Sequence, residues 1–198
     1  MATVGATAVG IVCKNGVVLA SEKRVAYGYT IISKVGKKVF KITDHLGMAC
    51  AGLISDMQVI ARSLAAEASL YTLDHKRPMP VRSLAKLLSV ILYGKKLIPY
   101  LTETIIAGVD SSGPHLFVLD PLGSLIEDKY AAVGSGSTLA ISIIESNYSP
   151  DMDVADGEKL AVEAIKAAIK RDAISGDGID VLVITAEGSK EKFIPIES

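Results

Sequence analysis

Several things are scarce in this chain of 198 residues. It has no tryptophan, three phenylalanines, two cysteines and three histidines. Cys13 and Cys50 both fall inside expected strands and show neither metal nor redox spacing. They read as small buried hydrophobes of a reducing compartment, not as a disulfide framework. His45, His75 and His115 are far apart and match no metal-ligand spacing, so no metal site and no cofactor are expected. Neither a Ser-His-Asp triad nor a G-x-S-x-G elbow has support. Net charge is close to absent too, at −1, which argues against nucleic acid or an anionic membrane as the main partner. Mean hydropathy is positive. Even so, charges, Gly or Pro interrupt every apolar run before the roughly 18 residues a membrane span requires. The first residues lack the basic and apolar regions of a signal peptide, and the cytoplasm is the expected location.

What is present is a large supply of core. Hydrophobic residues make up 49% of the chain and charged residues 22%, enough for one well-buried domain with apolar surface left for subunit interfaces. Val9 to Cys13 and Val17 to Glu22 are apolar runs joined by Lys14-Asn15-Gly16, a strong hairpin signal. Val25 to Ser33 reads as a looser connection, and Lys37 to Thr43 with Leu46 to Leu53 as a second strand pair. Ser55 is placed to cap a helix over Asp56 to Leu73, with Met57, Ile60, Ala61, Leu64, Ala65 and Ala68 as its buried stripe. Pro80 opens another helix, Val81 to Tyr93. Strands follow over Thr104 to Asp110, His115 to Asp120 and Ser124 to Ala132. Gly134-Ser135-Gly136-Ser137 leads into a helix ending near Asn147. A helix over Glu158 to Asp172 precedes strands over Ile179 to Thr185 and Lys192 to Ile196.

Strands and helices thus come in blocks of four, two, three, two and two. Blocks argue against a parallel βαβ sheet and for an α+β fold with two packed sheets covered by helix pairs, a four-layer α-β-β-α sandwich. Three charges stand where an ordinary core would not put them. Lys38 shares a strand face with Phe40 and Ile42, and Glu22 continues the face of Val18 and Ala20. Asp172, eleven residues after Ala161, returns to the apolar stripe of the last helix. Each alone is as well read as a snorkelling or solvated charge; together they favour a site in which a lysine held near carboxylates has a tuneable pKa.

Val9-Gly10-Ile11-Val12, Gly16 to Arg24 (GVVLASEKR), Lys34 to Ile42 (KVGKKVFKI), Ala51-Gly52-Leu53, the GSGS stretch at 134–137 and Lys170 to Asp180 (KRDAISGDGID) resemble the β subunits of the archaeal proteasome over almost the whole chain. The long N-terminal helical extension of the α subunits has no counterpart. The resemblance implies the N-terminal-nucleophile hydrolase sandwich and a threonine-type endopeptidase. It also implies processing by cleavage after Gly5; with Thr7 as the candidate nucleophile, residues 1–6 are a short propeptide or N-terminal extension and 7–198 a single domain. On the family pattern, Lys38 lowers the nucleophile's pKa and Glu22 orients Lys38. Ser135, Asp172 and Ser175 hold the N-terminal amine, and the Gly52 N–H is the oxyanion donor. Val25 and Ala26 line the peptide cleft, with Cys50 and Ile54 as pocket wall. Implied partners are proteasome α subunits, other β subunits in a seven-membered ring, an ATP-dependent unfoldase at the particle ends and polypeptide substrates.

One departure matters. The family begins with Gly and three threonines before Val-Gly, whereas this chain reads Gly5-Ala6-Thr7-Ala8-Val9-Gly10. Ala6 occupies the nucleophile's register, and a one-residue offset on a strand turns Thr7 to the other face. Thr7 is the candidate nucleophile only if cleavage follows Ala6 and a bulge corrects the register. Two readings stay open: an active endopeptidase subunit using Thr7, and a non-catalytic β subunit assembled with a catalytic one.

Overall fold

The computed structural model describes residues 5–28 and 30–196. The first four residues of the expected extension lie outside them. Strands β1 (Thr7–Cys13) and β2 (Gly16–Glu22) form the hairpin that Asn15-Gly16 signals, with Cys13 opposite Gly16 and Ala8 opposite Ser21. All fourteen residues of the pair are buried, because their sheet is covered on both faces. Val25 to Ser33 is not a loose connection. It forms a two-stranded ribbon, β3 (Val25–Tyr27) with β4 (Thr30–Ser33), whose register shifts between Val25 and Ala26.

Next come β5 (Val39–Lys41), β6 (Leu46–Gly52), α1 (Ile54–His75) and α2 (Val81–Gly94). Ser55 does not cap α1. Leu53 holds the N-cap position with no side-chain bond, and Asp56 in the first turn instead accepts from the Leu101 amide at 2.8 Å. Pro80 occupies the N-cap of α2, a place its fixed φ suits and where its missing N–H costs nothing. Then follow β7 (Thr102–Asp110), β8 (Gly113–Leu119), β9 (Ile126–Glu127) and β10 (Tyr130–Gly134). The single strand expected over Ser124 to Ala132 is therefore two. β9 pairs with β8 and β10 pairs with β1, so the chain changes sheets at Asp128-Lys129.

The last elements are α3 (Ser137–Asn147), α4 (Val154–Ile169), β11 (Ile179–Thr185) and β12 (Gly188–Ile194). α4 begins four residues earlier than expected because Asp153 caps it, accepting from the amides of Ala155 and Asp156 at 2.9 and 3.0 Å. It also ends earlier, so Asp172 stands in the loop beyond it.

Two five-stranded antiparallel sheets result, ordered β10-β1-β2-β11-β12 and β5-β6-β7-β8-β9. Ala8, Leu19, Ala49, Ile105 and Leu182 fill the space between them. Met48, Ile106 and Phe117 pack against Leu64 of α1 and Leu88 of α2. Val9, Ile11 and Val181 pack against Ile144 of α3 and Leu160, Ala164 and Ile165 of α4. Strand alternation splits each strand's apolar residues between two cores, which is how a chain this apolar uses four layers.

Candidate active site

The described N-terminus threads between the ends of both sheets, where four other segments converge. Glu22 ends β2, Lys38 immediately precedes β5, Ser135 joins β10 to α3, and Asp172 and Ser175 lie between α4 and β11.

Glu22 and Lys38 are almost entirely buried, at 0% and 1% exposure, and form a salt bridge through Glu22 Oε1. Burial pushes the Glu22 carboxyl up from its ordinary value and the Lys38 ammonium down from its own. Each group therefore depends on the other to stay charged. Glu22 also gathers backbone donors from three places. Oε1 accepts from Thr7 N at 3.2 Å; Oε2 accepts from Arg24 N at 2.7 Å and Gly176 N at 3.1 Å. Lys38 Nζ donates additionally to the Arg24 carbonyl at 2.6 Å.

A second network runs through hydroxyls. Thr7 Oγ1 and Ser175 Oγ are 2.8 Å apart. Ser175 donates to Asp172 Oδ2 at 2.7 Å, which leaves the threonine hydroxyl as donor to Ser175. Ser135 Oγ donates to the same carboxylate oxygen at 2.5 Å, and the Ser135 amide donates to the Ala6 carbonyl at 2.9 Å. The six residues Thr7, Glu22, Lys38, Ser135, Asp172 and Ser175 are thus brought to one place, in two networks that meet at Thr7.

The faces of β1 decide what those networks can do. Ala6 and Ala8 pack into the core between the sheets, beside Val39, Ala49 and Ala51. Thr7 alternates with them and lies on the side of Val9 and Ile11, toward α4: Gly136, close to the Ala168 methyl, leaves the space its hydroxyl occupies. The Thr7 side chain is fully buried, with its hydroxyl committed to Ser175 and its amide to Glu22.

Gly52 closes β6 at φ +139°, a backbone conformation that favours glycine, and a side chain there would strike the Leu101 carbonyl. Val25 and Ala26 are half-buried on the small ribbon. Cys50 presents no surface at all. It sits in the core beneath α1 and α2, its thiol pushed up to about 12 by burial. Ile54, half-buried, packs against that same core.

Three further residues support the site. Arg24 Nε donates to Asp177 Oδ2 at 2.8 Å and its Nη1 to the Ala173 carbonyl at 2.9 Å, tying the loop after α4 to the end of β2. Glu103, on the opposite sheet, accepts from Gly134 N at 2.7 Å and steadies the turn that carries Ser135. Arg24 and Asp177 lie inside stretches that carry the family resemblance, but that match alone does not show they pair. For Glu103 no sequence signal exists, since an exposed strand carboxylate looks the same wherever its partner lies. Among the described residues no group of His, Cys, Asp and Glu is arranged to hold a metal ion.

The proteasome subunit family model matches residues 2–184. Proteasome subunit beta 2 of Pyrobaculum calidifontis is 51% identical over 195 residues, covering 98% of this chain and 96% of the relative. Proteasome subunit beta 2 of Thermofilum pendens is 54% identical over 190 residues, with 96% and 93% covered. Proteasome subunit beta 1 of Hyperthermus butylicus is 56% identical over 184 residues, with 92% and 90% covered. The sandwich described above is consistent with the fold of this family, whose β subunits are threonine-type endopeptidases and work in assembly with other proteasome subunits. The chain belongs to the proteasome subunit family, as a β subunit of archaeal type.

Proposed function

We propose that this chain is a structural β subunit. It holds its place in a seven-membered ring bounded by α subunits, in a cytoplasmic particle fed by an ATP-dependent unfoldase, while a partner β subunit cuts the polypeptide. The observation that carries this reading is the direction of Thr7, whose hydroxyl bonds Ser175 on the helix-facing side. Ala6, on the face between the sheets, has no hydroxyl to offer. Lys38, the residue that should activate a nucleophile, has its described bonds with Glu22 and the Arg24 carbonyl. Relatives carrying both the beta 1 and beta 2 designations fit a ring with more than one kind of β subunit.

One observation favours catalysis through Thr7. Cleavage after Ala6 would free an amine that already faces Glu22 Oε1 at 3.2 Å. Presenting the hydroxyl to Lys38 would then require turning Thr7 over. Sliding β1 by one residue would expel Val9, Ile11 and Cys13 from their core, at roughly 2 kcal/mol per side chain. A bulge confined to residues 7 and 8 would instead break the pairing of Thr7 with Gly134 and of Ala8 with Ser21. Both costs weigh against it.

The test is intact mass and N-terminal sequencing of the chain from assembled particles, together with a covalent inhibitor directed at N-terminal threonine. The structural reading expects a chain still carrying Ala6 and no label. A chain that begins at Thr7 and carries the label overturns it.

A further inference from the structure

At the other end of β7 from Gly52 and Thr102, a second group of reactive side chains converges. Nine residues of strand separate the two places, roughly 27 Å at the usual rise. Ser112 is exposed on the turn between β7 and β8, and its hydroxyl lies 2.8 Å from His115 Nε2. His115 Nδ1 in turn lies 2.8 Å from Glu127 Oε1. His115 looks unpromising in sequence because Glu127 is twelve residues beyond it; the β8–β9 pairing, with Phe117 opposite Glu127, brings the two together.

Each member is held by a neighbour. Asp110 Oδ1 accepts from both the amide and the hydroxyl of Ser112, at 2.8 and 2.6 Å, fixing the serine on its turn. Asp110 is itself fixed by the Val81 amide at the start of α2, at 3.0 Å. Burial works against the Asp110 charge, but these hydrogen bonds prevail and keep the carboxyl below its usual range. Arg82 holds the other oxygen of Glu127 and lies over the Phe117 ring. The order is nucleophile, base and orienting carboxylate, each link at hydrogen-bond distance, which is the arrangement hydroxyl-nucleophile hydrolases use on unrelated folds.

We propose that Ser112, His115 and Glu127 form a second hydrolytic site, distinct from the Thr7 networks, that acts on small carboxylic esters with good leaving groups. The Ser112 hydroxyl carries one hydrogen and has two acceptors in reach, Asp110 Oδ1 at 2.6 Å and His115 Nε2 at 2.8 Å; with the imidazole proton on Nδ1 and bonded to Glu127, Nε2 takes that hydrogen once the hydroxyl turns to it from Asp110. Ser112 Oγ attacks the ester carbonyl carbon, and its proton passes to Nε2. The carbon–oxygen bond to the leaving group breaks, and that oxygen takes the proton from Nε2. Water, losing a proton to Nε2, then attacks the acyl-serine. Its products are the carboxylic acid and the restored hydroxyl. The serine's position on an open turn is what limits the substrate to small, activated esters.

The full chain, alone and in assembled particles, is assayed with 4-nitrophenyl acetate and treated with a fluorophosphonate probe, followed by peptide mapping. The expected result is an acylation burst and a label on Ser112. Ser112→Ala abolishes both, and His115→Gln slows acylation at least about 100-fold. Ser111→Ala, the neighbouring serine, leaves the burst unchanged. Melting curves confirm that each variant is folded. No label at Ser112 in the parent chain, or a burst that survives Ser112→Ala, overturns the proposal.

Discussion

Replacing Lys38 with methionine removes one member of the buried pair while nearly preserving side-chain length and volume. Little cavity cost is therefore added, and the change reports on the charge. Breaking a buried ion pair from one side costs about 3–5 kcal/mol, because the remaining charge stays out of water. Here Glu22 keeps its three backbone donors from Thr7, Arg24 and Gly176, so the loss falls near the lower end, about 3 kcal/mol. For a chain of 198 residues that is a fall of about 6–12 °C in Tm. The loss also depends on pH in a definite direction. Burial already raises the Glu22 carboxyl, and Lys38 is the first of the groups that pull it back down. Without Lys38 it rises further. A carboxyl with a folded-state pKa above its unfolded value contributes stability below the unfolded pKa and loses it as pH rises through the folded one. Lys38→Met is therefore closer to the parent near pH 5 than near pH 9. Thermal melts of parent and variant across that range check both points. A loss under about 2 °C, or one that is flat with pH, refutes the reasoning about how the pair is held.

Asp177→Asn tests the second ion pair by charge alone, since asparagine tolerates the φ of 69° found there. The Arg24 guanidinium holds Asp177 below the usual carboxylate range, so its stabilisation is complete above the unfolded pKa and lost as pH falls through the folded one. The variant is expected to be about 1–2 kcal/mol less stable at pH 7 and to match the parent near pH 2, by urea unfolding. Ala6→Thr restores a hydroxyl on the face between the sheets. Removing the nucleophile from a hydroxyl protease costs roughly 10⁶ in kcat, so in particles whose partner β subunit has been inactivated, cleavage after Gly5 and peptide hydrolysis at least about 10³-fold above the parent chain are expected. An unprocessed, inactive Ala6→Thr chain would show that the surrounding frame is not competent.

The parts of the fold legible in sequence are those with local causes. Asn15-Gly16 between two β-branched runs reads as a hairpin because the turn demands those residues and no distant partner is needed. The stripe of α1 reads as buried because its spacing matches the helix period. Where partners are distant, reading fails. Ser124 to Ala132 looks like one strand because nothing local records that Ile126 pairs with Val118 while Tyr130 pairs with Ile11. The start of α1 is misplaced because Ser55 is a good cap by type, while the chain enters the helix directly from the strand ending at Gly52. The site shows the same division. The strand offset of Thr7 from Ala6 follows from alternation, but the Glu103 bond to Gly134 and the gathering of Ser112, His115 and Glu127 depend on pairings between strands.

That division bears on what the site residues mean. Glu22 receives backbone N–H groups from β1, from the segment after β2 and from the loop before β11. Lys38 neutralises it and satisfies the Arg24 carbonyl. Asp172 takes the hydroxyls of Ser135 and Ser175, and the Ser135 amide takes the Ala6 carbonyl. These groups close five chain segments over buried or half-buried polar backbone, at a place where two sheet ends meet and no ladder can satisfy them. Removing any one leaves donors or acceptors unpaired at about 1–3 kcal/mol each. The frame therefore has a folding reason to be intact that is independent of peptide cleavage. Glu22, Lys38, Asp172 and Ser175 support membership of the particle; the presence of chemistry has to be judged from the hydroxyl alone. That hydroxyl, on Thr7, is turned to Ser175.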